Sequence, residues 1–147
     1  MNRLIEDYLR TRGARYFRGH HDDEYFYLVD CVVGADRGRL NVHLEVCDPD
    51  RGGVRITITP DRYYPVRYRQ HLEDLVSRFN AGTAVVGSEV HDSSDPRLVG
   101  VLALGCSRPA DSAALGEFVE AALASSLDLF GAMAGLAAPA DALRDAG

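Results

Sequence analysis

The sequence predicts an α+β domain in which helices pack against one antiparallel five-stranded sheet, in the order α-β-β-β-α-β-β-α. Residues 39–47 and 54–59 alternate strictly between apolar and polar side chains, which is the pattern of a strand with one buried face. The connections GADRG and DPDRGG are short and rich in turn residues, which favours antiparallel hairpins. Apolar residues at helical spacing occur before, between and after the strands.

The first half of the chain contains a short helix and three strands. The helix has a single apolar stripe and is expected to stop at Gly13. Residues 25–33 then form a strand that is rich in β-branched and aromatic side chains. The alternation in the next two strands predicts an inward face made of Leu40, Val42, Leu44, Val46, Val54, Ile56 and Ile58.

The second half contains a helix, a hairpin and a long final helix. Helical spacing predicts the first of these helices at about residues 66–80, with Pro65 at its start. The hairpin combines residues 84–91 with 98–104; a centred turn pairs Val90 with Leu98 and Val86 with Leu102. On that pairing the inward residues are Ala84, Val86, Val90, Leu98, Leu102 and Leu104. The final helix is expected at about 111–136, capped by Asp111 or Ser112.

Length and charge limit the domain count and the kinds of partner. The 147 residues suffice for one domain, which we place at 1–136, with a short C-terminal tail at 137–147. The net charge is −6, and the sixteen basic residues, all arginine, are scattered among twenty-two acidic residues, which disfavours nucleic acid as a partner. No apolar run approaches the roughly 18 residues of a membrane span, and acidic residues interrupt the N-terminus. We therefore expect a soluble cytoplasmic protein without a membrane partner.

The sequence offers little support for a metal site, a cofactor or catalysis. His20, His21 and the following acids at 22–24 are metal-ligand types, but consecutive residues of an extended segment point in opposite directions. Cys31 or Cys47 could form a nucleophile–base pair with His43, although no third orienting group is evident. No phosphate-binding glycine motif is present. We expect three free thiols that pack as small apolar groups, no metal, no cofactor and no enzymatic activity.

The order and spacing of the elements resemble those of the YbjN domain family, whose fold is similar to class I type III secretion chaperones. The resemblance covers nearly the whole chain, and its carriers are LIEDYLRTRG, the three-strand meander, HLEDLVSRFN, a hairpin and LGEFVEAALASSLDLF. The loop HDSSDPR is long and polar for the family. The resemblance implies a non-enzymatic protein, often dimeric, that acts as a regulator of sensory transduction or in chaperone-like binding. It supplies no catalytic residues.

Two segments are candidates for a protein interface. The first strand is apolar on both faces, and a centred hairpin places Phe26, Leu28 and Val32 in the core. Its opposite face would then be open, although a one-sided sheet carries polar residues there. That open face consists of Tyr25, Tyr27, Val29, Cys31 and Val33. The second segment, residues 62–69, combines arginine with tyrosine, which are enriched at binding hot spots, and Tyr63 and Arg67 are its candidate contacts.

The sequence leaves open two functions from different classes, and a purely structural role within a larger assembly is a third. The first is a regulatory or chaperone-like module that binds an unidentified protein partner and forms a homodimer through the open sheet face. The alternative is a small-molecule-binding or enzymatic α+β domain with a pocket between the sheet and the last helix. A deep polar pocket lined by His43, Glu45 or Asp30 would favour the alternative, whereas a flat apolar face would favour the module.

Overall fold

The computed structural model describes residues 1–21, 23–33, 36–82 and 85–136, without the side chain of residue 36. The predicted tail at 137–147 and the predicted inward residue Ala84 lie outside this part of the chain. The helices are α1 (Asn2–Arg12), α2 (Arg69–Gly82) and α3 (Ser112–Met133). The strands are β1 (Tyr16–Arg18), β2 (Glu24–Val33), β3 (Asp36–Cys47), β4 (Gly53–Pro60), β5 (Tyr64–Pro65), β6 (Gly87–Asp92) and β7 (Leu98–Ser107).

The strands form one antiparallel sheet, which confirms the predicted α+β class. β1, β2, β3 and β4 are neighbours in that order, and β7 pairs with β4 and β5 on one side and with β6 on the other. The sheet has seven strands rather than the predicted five. The two additional strands, β1 and β5, are three and two residues long, too short to show a periodic sequence pattern.

Local sequence signals fix the ends of the first and last helices. Gly13 follows α1 with a left-handed backbone (φ 73°), and its N–H group bonds to the carbonyl groups of the last helical turn, as expected for a glycine cap. At the start of α3, the carboxylate of Asp111 accepts a hydrogen bond of 2.8 Å from the backbone N–H of Ala114. Of the two predicted caps, Asp111 is therefore the one whose side chain caps the helix.

The core lies between one face of the sheet and the helices. The inward faces predicted for β3 and β4 are confirmed, since Leu40, Val42, Leu44, Val54, Ile56 and Ile58 are buried and Val46 is half-buried. α1 covers this face with Ile5, Tyr8 and Leu9. α3 packs on α1 and on strands β2, β4 and β7.

The predicted faces of β2 are wrong, because the β2–β3 register differs from the centred one by an odd number of residues. The centred hairpin places Cys31 opposite Asn41, whereas Cys31 pairs with Gly38. An odd shift moves every side chain of a strand to its other face. The residues predicted to be inward, Phe26, Leu28 and Val32, are therefore exposed. Of the set predicted to be open, Tyr25, Tyr27 and Val33 are buried, and Val29 and Cys31 are half-buried against the core.

The β6–β7 hairpin departs from prediction for the same reason. Val90 pairs with Val101 rather than with Leu98, which is again an odd shift. β7 consequently buries Val99, Val101 and Ala103, and Leu104 is 40% exposed. The observed register leaves a longer connection between the strands, residues 93–98, in which the hydroxyl of Ser93 lies within hydrogen-bond distance of the carbonyl oxygens of Asp95 (2.7 Å) and Leu98 (2.8 Å).

The last helix is the one segment among the described residues that could cross a membrane by length and composition. Residues Ser112–Leu136 reach a mean hydropathy of 1.3 over an 18-residue window. However, α3 packs on the sheet, and Glu117, Glu120 and Asp128 lie on its exposed side. One buried stripe and one charged face are typical of a helix that covers the core of a globular domain.

Candidate functional site

The face of the sheet opposite the helices carries an exposed apolar patch at the β1–β2 edge. Phe17 of β1 lies directly opposite Phe26 of β2, and Leu28 and Val32 continue the same face along β2. Their exposed fractions are 70%, 40%, 50% and 64% in that order. We call these four residues the apolar patch. Charged residues of both signs border it, since Asp30 forms an ion pair with Arg39 (3.3 Å) and Arg37 lies opposite Val32.

The predicted interface residues of β2 are not on this open face. Tyr25 and Tyr27 belong to the core, and burial raises the pKa of both phenol groups. β2 does have an open apolar face, as the sequence predicted. That face is formed by Phe26, Leu28 and Val32, the residues that were predicted to be buried. Phe17 was missed altogether, because residues 14–19 carry no periodic pattern. The aromatic pair Tyr16-Phe17 is the signal that indicates an edge strand there.

The second predicted segment, residues 62–69, lies partly on the surface. Tyr63 is 37% exposed, and Arg67 is exposed with its guanidinium 4.8 Å from the centre of the Tyr68 ring. Tyr64 is fully buried in β5, where burial raises its pKa to about 12, and its hydroxyl has no hydrogen-bond partner among the residues that the structure describes. The segment therefore presents Tyr63, Val66 and Arg67 outward.

Three polar side chains of the open face come together beside the apolar patch. Glu24 lies opposite Glu45 across β2 and β3, and His43 precedes Glu45 by two residues on the same face. Nε2 of His43 lies 3.5 Å from Oε1 of Glu24, and the imidazole stacks on the ring of Phe26 at 4.5 Å. Glu45 also forms an ion pair of 3.2 Å with Arg55. We call Glu24, His43 and Glu45 the Glu-His-Glu cluster; the exposed pair His20 and His21 lies outside it.

The three cysteines are free thiols, and they differ in exposure. Cys31 and Cys47 are half-buried, whereas Cys106 is exposed, which departs from the expectation that all three pack. Burial raises the pKa of the Cys31 and Cys47 thiols. Cys47 and Cys106 lie on β3 and β7, which are both neighbours of β4, so their backbones are roughly 10 Å apart. After burial, the neighbouring side chain of Cys106 is the next cause of the raised Cys47 pKa, and both residues are free thiols in this structure. The suggested pairing with His43 gains no support: Cys31 points to the core side of the sheet, and Cys47 lies four residues along β3 from His43, roughly 13 Å away.

Two cavities are described, and both differ from the pocket that the alternative function requires. The first, about 610 Å³, is an open depression near the end of the β2–β3 hairpin, lined by residues including Asp30, Cys31 and Arg39. The second, about 340 Å³, lies between α1 and the start of α3, with Tyr8, Arg12 and Glu120 in its wall. Neither is lined by His43 or Glu45, and neither lies between the sheet and α3.

Comparison with known proteins identifies the fold. No protein-family model matches the chain, and no curated protein sequence matches it. The crystal structure of YbjN from E. coli, described as "a putative transcription regulator", superposes with a TM-score of 0.66 at 12% sequence identity. The match covers 92% of this chain and 93% of that one. The chain therefore has the YbjN-like fold, as the order of its elements predicted.

Proposed function

We propose that this chain is a non-enzymatic, regulatory protein-binding module of the cytoplasm, and that a second copy of the chain binds to its apolar patch. The observation that carries the proposal is the exposure of Phe17, Phe26, Leu28 and Val32 on the sheet face that the helices leave open. Water-exposed aromatic and aliphatic side chains grouped on one surface are typical of association sites. The description of YbjN as a regulator supports a regulatory role rather than catalysis.

The size of the apolar patch supports a protein partner. An aromatic side chain presents roughly 200 Å², so the exposed fractions of Phe17 and Phe26 correspond to roughly 200 Å² together. Leu28 and Val32 are exposed to a similar degree, which brings the patch to roughly 400 Å². Patches of this size are within the range found at functional surfaces of monomers.

The same area argues for a second copy as the partner. In a two-fold symmetric contact both copies contribute the same surface, so the two patches would bury roughly 800 Å² of apolar area. That is about half of a standard interface of about 1,600 Å², of which slightly more than half is normally apolar. The bordering charges Asp30, Arg37 and Arg39 include both signs, so they can pair with their counterparts in the other copy.

The alternative, a small-molecule-binding or enzymatic domain, has less support from the geometry. It requires a polar pocket between the sheet and α3, and the two described cavities lie at the hairpin end and between two helices. The depression near the hairpin contains Asp30 but is open to solvent. The protein-binding module is the function that the described surface favours.

The experiment is light scattering of the wild type and of two matched variants at tens of micromolar. Leu28→Glu places a charge within the apolar patch, and Val66→Glu places the same charge on an exposed apolar residue of the second segment. We expect a wild-type mass of twice 16.1 kDa and a dissociation constant that rises by at least about 30-fold in Leu28→Glu alone. Circular dichroism checks that both variants fold.

Two outcomes contradict the proposal. A monomeric wild type would show that the apolar patch does not bind a second copy. A variant Val66→Glu that dissociates while Leu28→Glu stays dimeric would place the interface at residues 62–69, with Tyr63 and Arg67 as its first candidate contacts.

A further inference from the structure

We propose that the Glu-His-Glu cluster is a binding site for a divalent transition-metal ion such as zinc. The inference concerns Glu24, His43 and Glu45 alone and holds whether or not a second copy binds to the apolar patch. It also departs from the expectation, drawn from the sequence, that the chain has no metal site. Sequence spacing could not indicate the site, because Glu24 and Glu45 meet only through the β2–β3 register.

The spacing of the three side chains suits a small cation. One ligand atom from each of them lies within 4.8 Å of the other two. In a tetrahedral zinc site with bonds of about 2.0–2.1 Å, neighbouring ligand atoms are about 3.4 Å apart. Nε2 of His43 and Oε1 of Glu24 are already separated by 3.5 Å. Only Glu45 has to move closer; side-chain rotation can bring it there, in exchange for its ion pair with Arg55.

The nitrogen of His43 that faces the cluster lacks a hydrogen-bond partner. Nε2 is inaccessible to water and forms no hydrogen bond with any described group, and the Glu24 carboxylate beside it is 3.5 Å away. A buried polar atom without a partner is costly, and a metal ion would supply the missing interaction. Stacking on Phe26, with the two ring planes 10° apart, holds the imidazole in this orientation. His43 is thus positioned as a ligand before any ion binds.

The two negatively charged carboxylates of the cluster also favour the binding of a cation. Glu24 and Glu45 lie directly opposite each other, and like charges in that arrangement repel. Arg55 forms an ion pair with Glu45, whereas the ion-pair neighbour of Glu24 is His43. A divalent ion would neutralise both carboxylates at once. One imidazole nitrogen with two carboxylate oxygens is a donor set suited to zinc and to similar divalent metals.

Gly19 provides space for the carboxylate of Glu24. A methyl group at Gly19 would lie 2.5 Å from Oε2 and 2.8 Å from Cβ of Glu24. The backbone N–H of Gly19 also donates a hydrogen bond of 3.0 Å to the carbonyl oxygen of Glu24. The close approach of Gly19 therefore limits the positions open to the Glu24 side chain. Three protein ligands leave a fourth coordination position for water or for another ligand from the open side.

The test is isothermal titration calorimetry with zinc on full-length protein that has been freed of metal with a chelator. We expect binding of one zinc ion per chain. We also expect that His43→Ala and Glu24→Gln each weaken binding at least about 10-fold, since even residues that only orient a metal ligand contribute 10–100-fold. His71→Ala, which removes an exposed histidine of α2, should leave the affinity unchanged. The double variant with His20→Ala and His21→Ala tests the exposed histidine pair and should also bind normally.

A second measurement keeps the test decisive if a variant is poorly folded. Cobalt(II) in place of zinc should give the strong visible absorption of a tetrahedral site in the wild type and lose it in the isosteric variant Glu45→Gln. Absence of saturable binding would overturn the proposal and leave His43 and Glu24 as an ion pair. Zinc binding that is unaffected by His43→Ala but abolished in the His20/His21 double variant would also overturn it, because the ion would then bind to exposed histidines.

Discussion

Alanine substitution of the neighbours Tyr27 and Leu28 tests which face of β2 the core uses. Tyr27 is 2% exposed and Leu28 is 50% exposed. Removing a buried aromatic ring costs about 3–5 kcal/mol of unfolding free energy, because it removes apolar contacts and leaves a cavity. Leu28 is already half in contact with water and leaves no closed cavity, so its loss should cost about 1 kcal/mol or less. The expected difference between the two variants is therefore at least about 2 kcal/mol.

Urea denaturation followed by circular dichroism measures this difference. It should be carried out below the concentration at which the wild type associates, since dissociation would otherwise add to the cost of Leu28→Ala. An unchanged denaturant slope in both variants is the control that the unfolding transition stays comparable. If Leu28→Ala destabilised the protein as much as Tyr27→Ala, the centred hairpin would be correct and the apolar patch would not exist.

Three further predictions concern Tyr64 and the thiols. Tyr64→Phe removes a buried hydroxyl that has no partner, so denaturation at pH 8 should show equal stability or a gain of up to about 1 kcal/mol, and a loss above 1 kcal/mol would contradict this. Burial raises the Tyr64 pKa from 10.0 to about 12. The stability that this shift gives the folded state is therefore complete below pH 10 and is lost as the pH rises toward 12. Between pH 8 and pH 11.5 the free energy of unfolding of the wild type should therefore fall by about 2 kcal/mol more than that of Tyr64→Phe. Equal losses of stability in the two proteins would contradict the raised pKa. Thiol titration should find three thiols after unfolding, and in the folded protein Cys106 should react before Cys31 and Cys47, whose pKa values are raised by burial. Fewer than three thiols would reveal a disulfide.

The sequence predicted the elements more reliably than it predicted the pairing between them. In β3 and β4 polar residues alternate with apolar ones, so only one face can be buried, and those inward faces were predicted correctly. In β2 and β7 both faces are apolar, and the pattern cannot decide between them. The choice then depended on the turn: GADRG was counted as a five-residue loop, whereas β3 already begins at Asp36. The resulting odd shift moved the predicted interface into the core.

The Glu-His-Glu cluster could not be predicted from the sequence, because its prediction also requires the β2–β3 register. Glu24 and His43 are nineteen positions apart and meet only because Glu24 pairs with Glu45. The predicted register instead placed Cys47, rather than His43 or Glu45, beside this end of β2. A run of adjacent histidines and acids at 20–24 drew attention to the same region, but of the residues of that run that the structure describes, only Glu24 belongs to the cluster. Spatial proximity across strands requires the register, and the apolar pattern of β2 does not supply it.

Hydroxyl-radical footprinting below and above the concentration of association tests directly whether the open face binds a second copy. The method measures the exposure of individual side chains, and aromatic and leucine residues respond strongly. We predict that modification of Phe17, Phe26 and Leu28 falls on association, while Tyr63 and Val66 keep their reactivity. Unchanged modification of Phe17, Phe26 and Leu28 in the associated protein, or protection confined to Tyr63 and Val66, would contradict the proposal that the apolar patch is the interface.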